Sequence, residues 1–210
     1  SRRRHTRSAY VTGVLTCALP ILLWTFFSEA TNGAMGSVLE NSQLLKKVYI
    51  PKYMFPLEKC LFACVNLLFS MVAVLIVMAF SGVWPTATFF LFPFVVLLCL
   101  VFAIGMGLLL SSLTVFFRDI MHLYGVVLTA WMYATPIIYP LDLANLPGII
   151  VGIMQFNPMY YFVTMLRDVL LYNTVPSLSM WLCAAAFAFG FLLLGLWCFK
   201  KKQDRFVLYV

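Results

Sequence analysis

Hydrophobic and polar positions fall into long apolar runs separated by short charged connectors. A helix needs about 20 apolar residues to cross about 30 Å of hydrocarbon. Runs of that scale lie near 12–34, 61–80, 89–113, 123–139 and 180–199. The pattern predicts an all-α integral membrane protein with about five transmembrane helices. The first run, TGVLTCALPILLWTFFSEATNGA, is the weakest of the five. Gly82 and Pro85 punctuate the loop between the second and third runs, and Trp84 suits a membrane interface there. Arg118 and Asp119 interrupt the apolar sequence between the third and fourth runs. A tight turn lets both reach water or headgroups, whereas a charge at the bilayer centre costs about 2.5–3.5 kcal/mol even on permissive scales.

The stretch 139–178 is apolar but broken by Pro140, Pro147, Gly148, Gly152 and Pro158. Its pieces are too short to span and predict two short helices that enter the outer leaflet and turn back. Non-helical backbone at that depth is tolerated only where protein or a water-filled path surrounds it. Pro158 suits the first turn of the second piece. Arg167 and Asp168 come late in that piece and are expected at the outer surface.

Composition agrees with the pattern. The 210 residues are 64% hydrophobic and 10% charged, too little polar surface for a water-soluble domain of this size. Between positions 60 and 199 the acidic and basic residues are Arg118, Asp119, Asp142, Arg167 and Asp168 alone. The net charge of +7 collects at segment ends and forms no continuous basic face, so nucleic acid is not an expected partner. Most of the six cysteines lie inside apolar runs without metal-binding spacing and are expected to act as small buried hydrophobes.

Lysine and arginine set the orientation. Lys46, Lys47, Lys52 and Lys59 precede the second run, and KKKQDR follows the fifth. Both connectors are expected on the cytoplasmic side. The second run then leads out, the third returns, Arg118 lands inside, the fourth leads out and the fifth returns. The N-terminal SRRRHTR opposes this order, since it would lie outside. The segment RRRHTRSAYVTGVLTCALPI resembles translated sequencing-adapter read-through, and residues 1–21 are set apart as a non-native leader, with a genuine basic leader as the alternative. The transmembrane domain proper is then 22–210, and a further span is expected before it.

Four stretches in order, NSQLLKKVYIPKYMFPLEK, VFFRDI, ATPIIYPL and NPMYYFVTMLRDVLL, carry a resemblance to the ABC-2 type permeases that export polysaccharides. That group includes the O-antigen, capsule and teichoic-acid exporters. The resemblance extends over about 22–210. It implies a half-transporter in the bacterial cytoplasmic (inner) membrane, with two copies forming a pore for a lipid-linked glycan. A separate ABC ATP-binding subunit would hold ATP and Mg, and this chain would bind no cofactor of its own. Family members have six spans and an amphipathic helix before the first, so five here imply truncation at the N-terminus.

Site residues follow from these stretches. Leu44, Leu45 and Val48 are apolar and Lys46 and Lys47 polar in a short amphipathic turn that Pro51 ends. With Tyr49 they form a coupling element against the ATPase, or an interfacial helix whose lysines meet anionic lipid. Arg118 and Asp119 form a second cytoplasmic contact, a salt bridge closing the hairpin, or a solvated turn. Trp131, Tyr133, Tyr139, Phe156, Tyr160 and Tyr161 could carry sugar rings along a substrate path, or belong to an interfacial aromatic belt. Gly105, Gly107, Ser111 and Ser112 predict close helix packing. No phosphate-binding loop, nucleophile–base set or metal cluster is visible, so the chain is expected to be a transporter subunit rather than an enzyme. A drug or small-lipid exporter shares this topology, and a lipid-sugar transferase would need acids or histidines that the loops lack.

Overall fold

The computed structural model describes residues 2–47, 51–80, 87–135, 137, 152 and 154–203, with side chains from position 18 onward except those of 44–46 and 87. Seven α-helices occur among them: α1 Arg2–Glu40, α2 Ser42–Lys47, α3 Met54–Phe80, α4 Phe92–Thr114, α5 Ile120–Ala134, α6 Pro158–Arg167 and α7 Leu178–Lys202. A 3₁₀ turn, Ala87–Leu91, leads into α4, and a π turn, Asp168–Tyr172, continues α6. The described residues contain no strand.

Helix α1 is the central element. Leu19, Leu23, Phe27, Ala30, Ala34 and Val38 recur every three or four residues and are all buried, which gives one apolar face at helical period. That face packs against α3 and α4. Phe27 stacks on Phe102 of α4 with centroids 5.3 Å apart. Phe102 also meets Phe162 of α6 at 5.6 Å and Phe191 of α7 at 5.2 Å. The core is thus an aromatic column shared by four helices, where large planar groups bury much area with few torsions to lock.

The seam between α4 and α7 is the tightest. A Cβ added at Gly195 would lie 2.2 Å from the Gly105 carbonyl oxygen, and one at Gly105 would lie 2.5 Å from the Leu192 amide nitrogen. Both obstacles are backbone, so neither can rotate away. Gly107 faces α1, where an added Cβ would lie 2.7 Å from Ala34 Cβ. Ser111 and Ser112 are buried beside them and hydrogen-bond back to the carbonyls of Leu108 and Leu109. The small-residue series on α4 therefore does what its spacing predicts, since in lipid helices associate through close backbone approach.

Among the residues whose side chains are described, three helices are long and apolar enough to cross a membrane: Met54–Phe80, Thr88–Thr114 and Leu178–Lys202. They correspond to the second, third and fifth predicted runs. The first and fourth runs lie in α1 and α5. α1, 39 residues, is long enough to cross as well, and from position 18 onward protein covers most of its surface. α5 has 15 residues, about 22 Å of helix, short of the roughly 30 Å needed. It stops because Pro136 disfavours α geometry at Thr135, which is extended with φ −100° and ψ 135°. Residues 138–150 lie outside the described residues, and with them Tyr139, Asp142 and the first predicted outer helix. The second outer helix is present as α6.

Candidate functional site

The three connectors expected on the cytoplasmic side meet at one end of the bundle. After α1, Asn41 turns the chain, its amide donating to the Ser37 carbonyl at 2.8 Å. The six-residue α2 follows, carrying Leu44, Leu45, Lys46 and Lys47, with Lys47 exposed. Val48 and Tyr49 lie outside the described residues. Pro51 is exposed, and its carbonyl accepts from Met54 N, which starts α3. Lys52 Nζ donates to the Gln203 carbonyl and so ties this connector to the end of α7.

The α4–α5 connector reaches the same end. Arg118 and Asp119 are exposed, in a turn closed by Ile120 N donating to the Phe117 carbonyl and Met121 N to the Arg118 carbonyl. Asp119 stands at the N-cap of α5 but makes no side-chain capping bond. Lys59 pairs with Glu40 at 3.9 Å, and Arg118 and Asp119 do not pair with each other. Phe116 and Phe117 face Trp197, Cys198, Lys201 and Lys202 across a cavity of about 540 Å³. Lys202 Nζ lies 5.5 Å above the Phe116 ring and Lys201 Nζ 5.1 Å above Trp197, both within cation–π range. This end of the protein is cationic over an aromatic floor.

At the opposite end, Asn157 organises the entry to α6. Its Oδ1 accepts from Met159 N at 3.0 Å as an N-cap and from Trp131 Nε1 at 2.9 Å. Its Nδ2 donates to Thr135 Oγ1 at 2.8 Å. Pro158 occupies the first helical position, where the absent N–H costs nothing. Trp131 is accordingly a packing residue of the core, edge-on to Trp24 at 6.1 Å and to Phe27 at 5.5 Å. Tyr160 is buried, edge-on to Tyr161 at 5.5 Å, and the Tyr161 hydroxyl donates to the Gln155 carbonyl at 2.9 Å. Tyr133 and Phe156 are exposed at 71% and 84%. The aromatic set thus divides into a packed part and a free part.

Arg167 departs from expectation. It is buried, and Nη2 donates to the Ile137 carbonyl at 2.8 Å. The reason is that α6 returns into the bundle, packing against α1, α4 and α7, instead of staying on its rim. Asp168 is half-buried, and burial raises its carboxyl above the usual carboxylate range.

A model of the family described as "ABC-2 type transporter" matches residues 4–171. The chain belongs to the ABC-2 type transporter family. Among curated proteins it is similar to an O-antigen export system permease protein of Myxococcus xanthus, 27% identical over 186 residues, covering 89% of this chain and 72% of that protein. A Klebsiella pneumoniae protein of the same description is 24% identical over 186 residues, covering 87% of this chain and 70% of its own length.

One polar group within this ABC-2 type domain escaped the hydropathy pattern. On α1, Thr25, Glu29 and Asn32 are exposed and Ser28 is half-buried. Glu29 Oε1 accepts from Asn66 Nδ2 of α3 at 2.8 Å, and Asn32 Nδ2 donates to Ser28 Oγ at 3.4 Å. The signal was available: Ser28, Glu29, Thr31 and Asn32 make the first run the least apolar. Hydropathy averaging reported this as weakness of a span instead of as a polar face.

Proposed function

We propose that the chain is the membrane-spanning permease subunit of an ABC exporter that moves lipid-linked polysaccharide of the O-antigen type out of the cytoplasm. Membership of the ABC-2 family, with relatives named as O-antigen export permeases at 27% and 24% identity, is the observation that carries this reading. In it, two copies stand in the cytoplasmic membrane and share a passage, and a separate ATP-binding subunit with ATP and Mg supplies the energy. α2 and the residues after it, Leu44, Leu45, Lys46, Lys47, Val48, Tyr49 and Pro51, form the seat for that subunit. Arg118 and Asp119 make a second contact beside it. Support comes from the meeting of these connectors at one end: a partner gripping α2 also reaches the end of α7 through Lys52 and Gln203. Motion there can be passed to two spans at once. The exposure of Tyr133 and Phe156 favours these two among the aromatics as contacts for sugar rings.

The test is reconstitution. Vesicles containing this chain and its ATP-binding subunit should move a lipid-linked glycan across the bilayer only while ATP is hydrolysed. Transfer of small lipids or drugs without glycan would replace this reading with that of a small-molecule exporter, and no ATP-dependent transfer of any kind would remove both. Arg118→Ala should lower export about tenfold or more at normal protein level, in line with loss of charge-assisted contacts worth about 1.5–3 kcal/mol. Unchanged export at normal level would discard the contact at Arg118.

A further inference from the structure

From position 18 to Glu40, helix α1 is covered by protein on every face but one. The uncovered stripe runs through Ile21, Thr25, Glu29 and Asn32, four positions at helical spacing. Beyond Ile21 this stripe is polar. Glu29 stands eleven residues from Glu40, about 16 Å along the axis from the inner end at 1.5 Å per residue. Its partner Asn66 lies five residues inside the apolar run that begins at 61, which puts Glu29 in the inner half of a hydrocarbon layer about 30 Å thick.

A carboxylate there cannot face lipid cheaply. Charged side chains at membrane depth turn to a protein partner or to water, and mark paths for polar cargo. Glu29 has a partner in Asn66, at matching depth on α3. One hydrogen bond leaves further acceptors on the carboxylate and a further donor on the amide. The polar column also continues to the inner surface. Lys59 of α3 packs over Gly33 and pairs with Glu40, the two side chains 35% and 63% exposed. On the other flank, Met121 of α5 closes over Gly36. The stripe therefore runs as a groove between α3 and α5, from the exposed Glu40–Lys59 pair at the cytoplasmic end, past Gly36 under Met121, to Glu29 in the inner half of the bilayer.

We propose that this groove is the wall of the hydrated passage, and that Thr25, Ser28, Glu29 and Asn32 of α1 with Asn66 of α3 hydrogen-bond the hydroxyl groups of the moving glycan. The proposal rests on the export reading above. A chain of sugar hydroxyls needs donors and acceptors in place of the water it sheds, and an adjacent carboxylate and amide supply both. The stripe offers such groups at successive turns, so bonds broken at one level are remade at the next.

The experiment uses the full chain produced with its ATP-binding subunit in native membranes. Single substitutions Thr25→Cys, Glu29→Cys and Asn32→Cys are compared with Phe69→Cys and Leu193→Cys, at exposed apolar positions on α3 and α7. The probe is a charged methanethiosulfonate reagent, and labelling of the unsubstituted chain is the baseline. Because the thiolate is the reactive form, a thiol in lipid reacts slowly. The stripe positions should label about tenfold or more faster than the two controls, and supplying lipid-linked glycan should slow them. Stripe rates equal to the controls would overturn the proposal. So would disulfide cross-linking between two copies at Glu29→Cys without reagent access, which would make the stripe a seam between protomers. Fast labelling that glycan does not slow, in membranes where the unsubstituted chain exports glycan, would overturn it as well. Failure of the unsubstituted chain to export glycan would instead count against the export reading.

Discussion

Helices α1 and α7 both leave one stripe uncovered, and the two stripes are chemical opposites. On α7, Leu182, Phe189, Leu193, Leu196 and Trp197 are exposed at intervals that keep them on one side. On α1 the corresponding side carries Thr25, Glu29 and Asn32. An exposed leucine in water would be a liability, but in a bilayer it is the solvent-facing residue, since lipid tails are as apolar as its side chain. An exposed glutamate in lipid has no such excuse. Exposure is thus two different facts: lipid contact on α7, and contact with water or polar groups on α1.

The largest test of this contrast reverses it. Leu193→Glu should penalise insertion of α7 by about 2.5–3.5 kcal/mol, read as loss of the full-length protein from membranes. Glu29→Leu should leave membrane levels unchanged or raised. Equal behaviour of the two would mean that both stripes face the same medium. A second substitution sharpens the comparison by moving to the covered side of α7. Gly195→Ala drives a methyl group into the Gly105 carbonyl and should cost about 1–3 kcal/mol, seen as earlier thermal unfolding in detergent. Ala at Leu193, on the lipid side of the same helix, should shift it far less. The smallest effect is expected on the covered side of α1. The Tyr124 hydroxyl donates to Thr31 Oγ1 at 2.9 Å in the buried contact between α5 and α1. Tyr124→Phe should cost about 0.5–1.5 kcal/mol, with no change in labelling of the α1 stripe; a change there would show that α5 controls access to the groove.

Much of this architecture can be read along the chain. Four of the five apolar runs lie in helices of membrane length, and Gly105 sits where backbones touch. Pro136 and Pro158 end and begin helices as their chemistry requires. The site was less legible. Trp131 looked free for a sugar ring because nothing local says that Asn157, 26 residues later, takes its N–H. Arg167 looked like a surface charge because an arginine at a helix end usually is one. Its burial follows from where α6 packs, and α6 is positioned by other helices.

Composition summed over about 20 residues decides whether a segment enters a bilayer, and lysines beside those segments decide which way they point. Both are properties of local sequence, so the membrane class, the apolar spans and the basic connectors between them were determined before any folding. Which side of each helix meets lipid, protein or the polar groove was decided only by packing, because it depends on partners such as Asn66 for Glu29, 37 positions away. No periodicity within α1 distinguishes a polar residue turned to a partner from one turned to nothing.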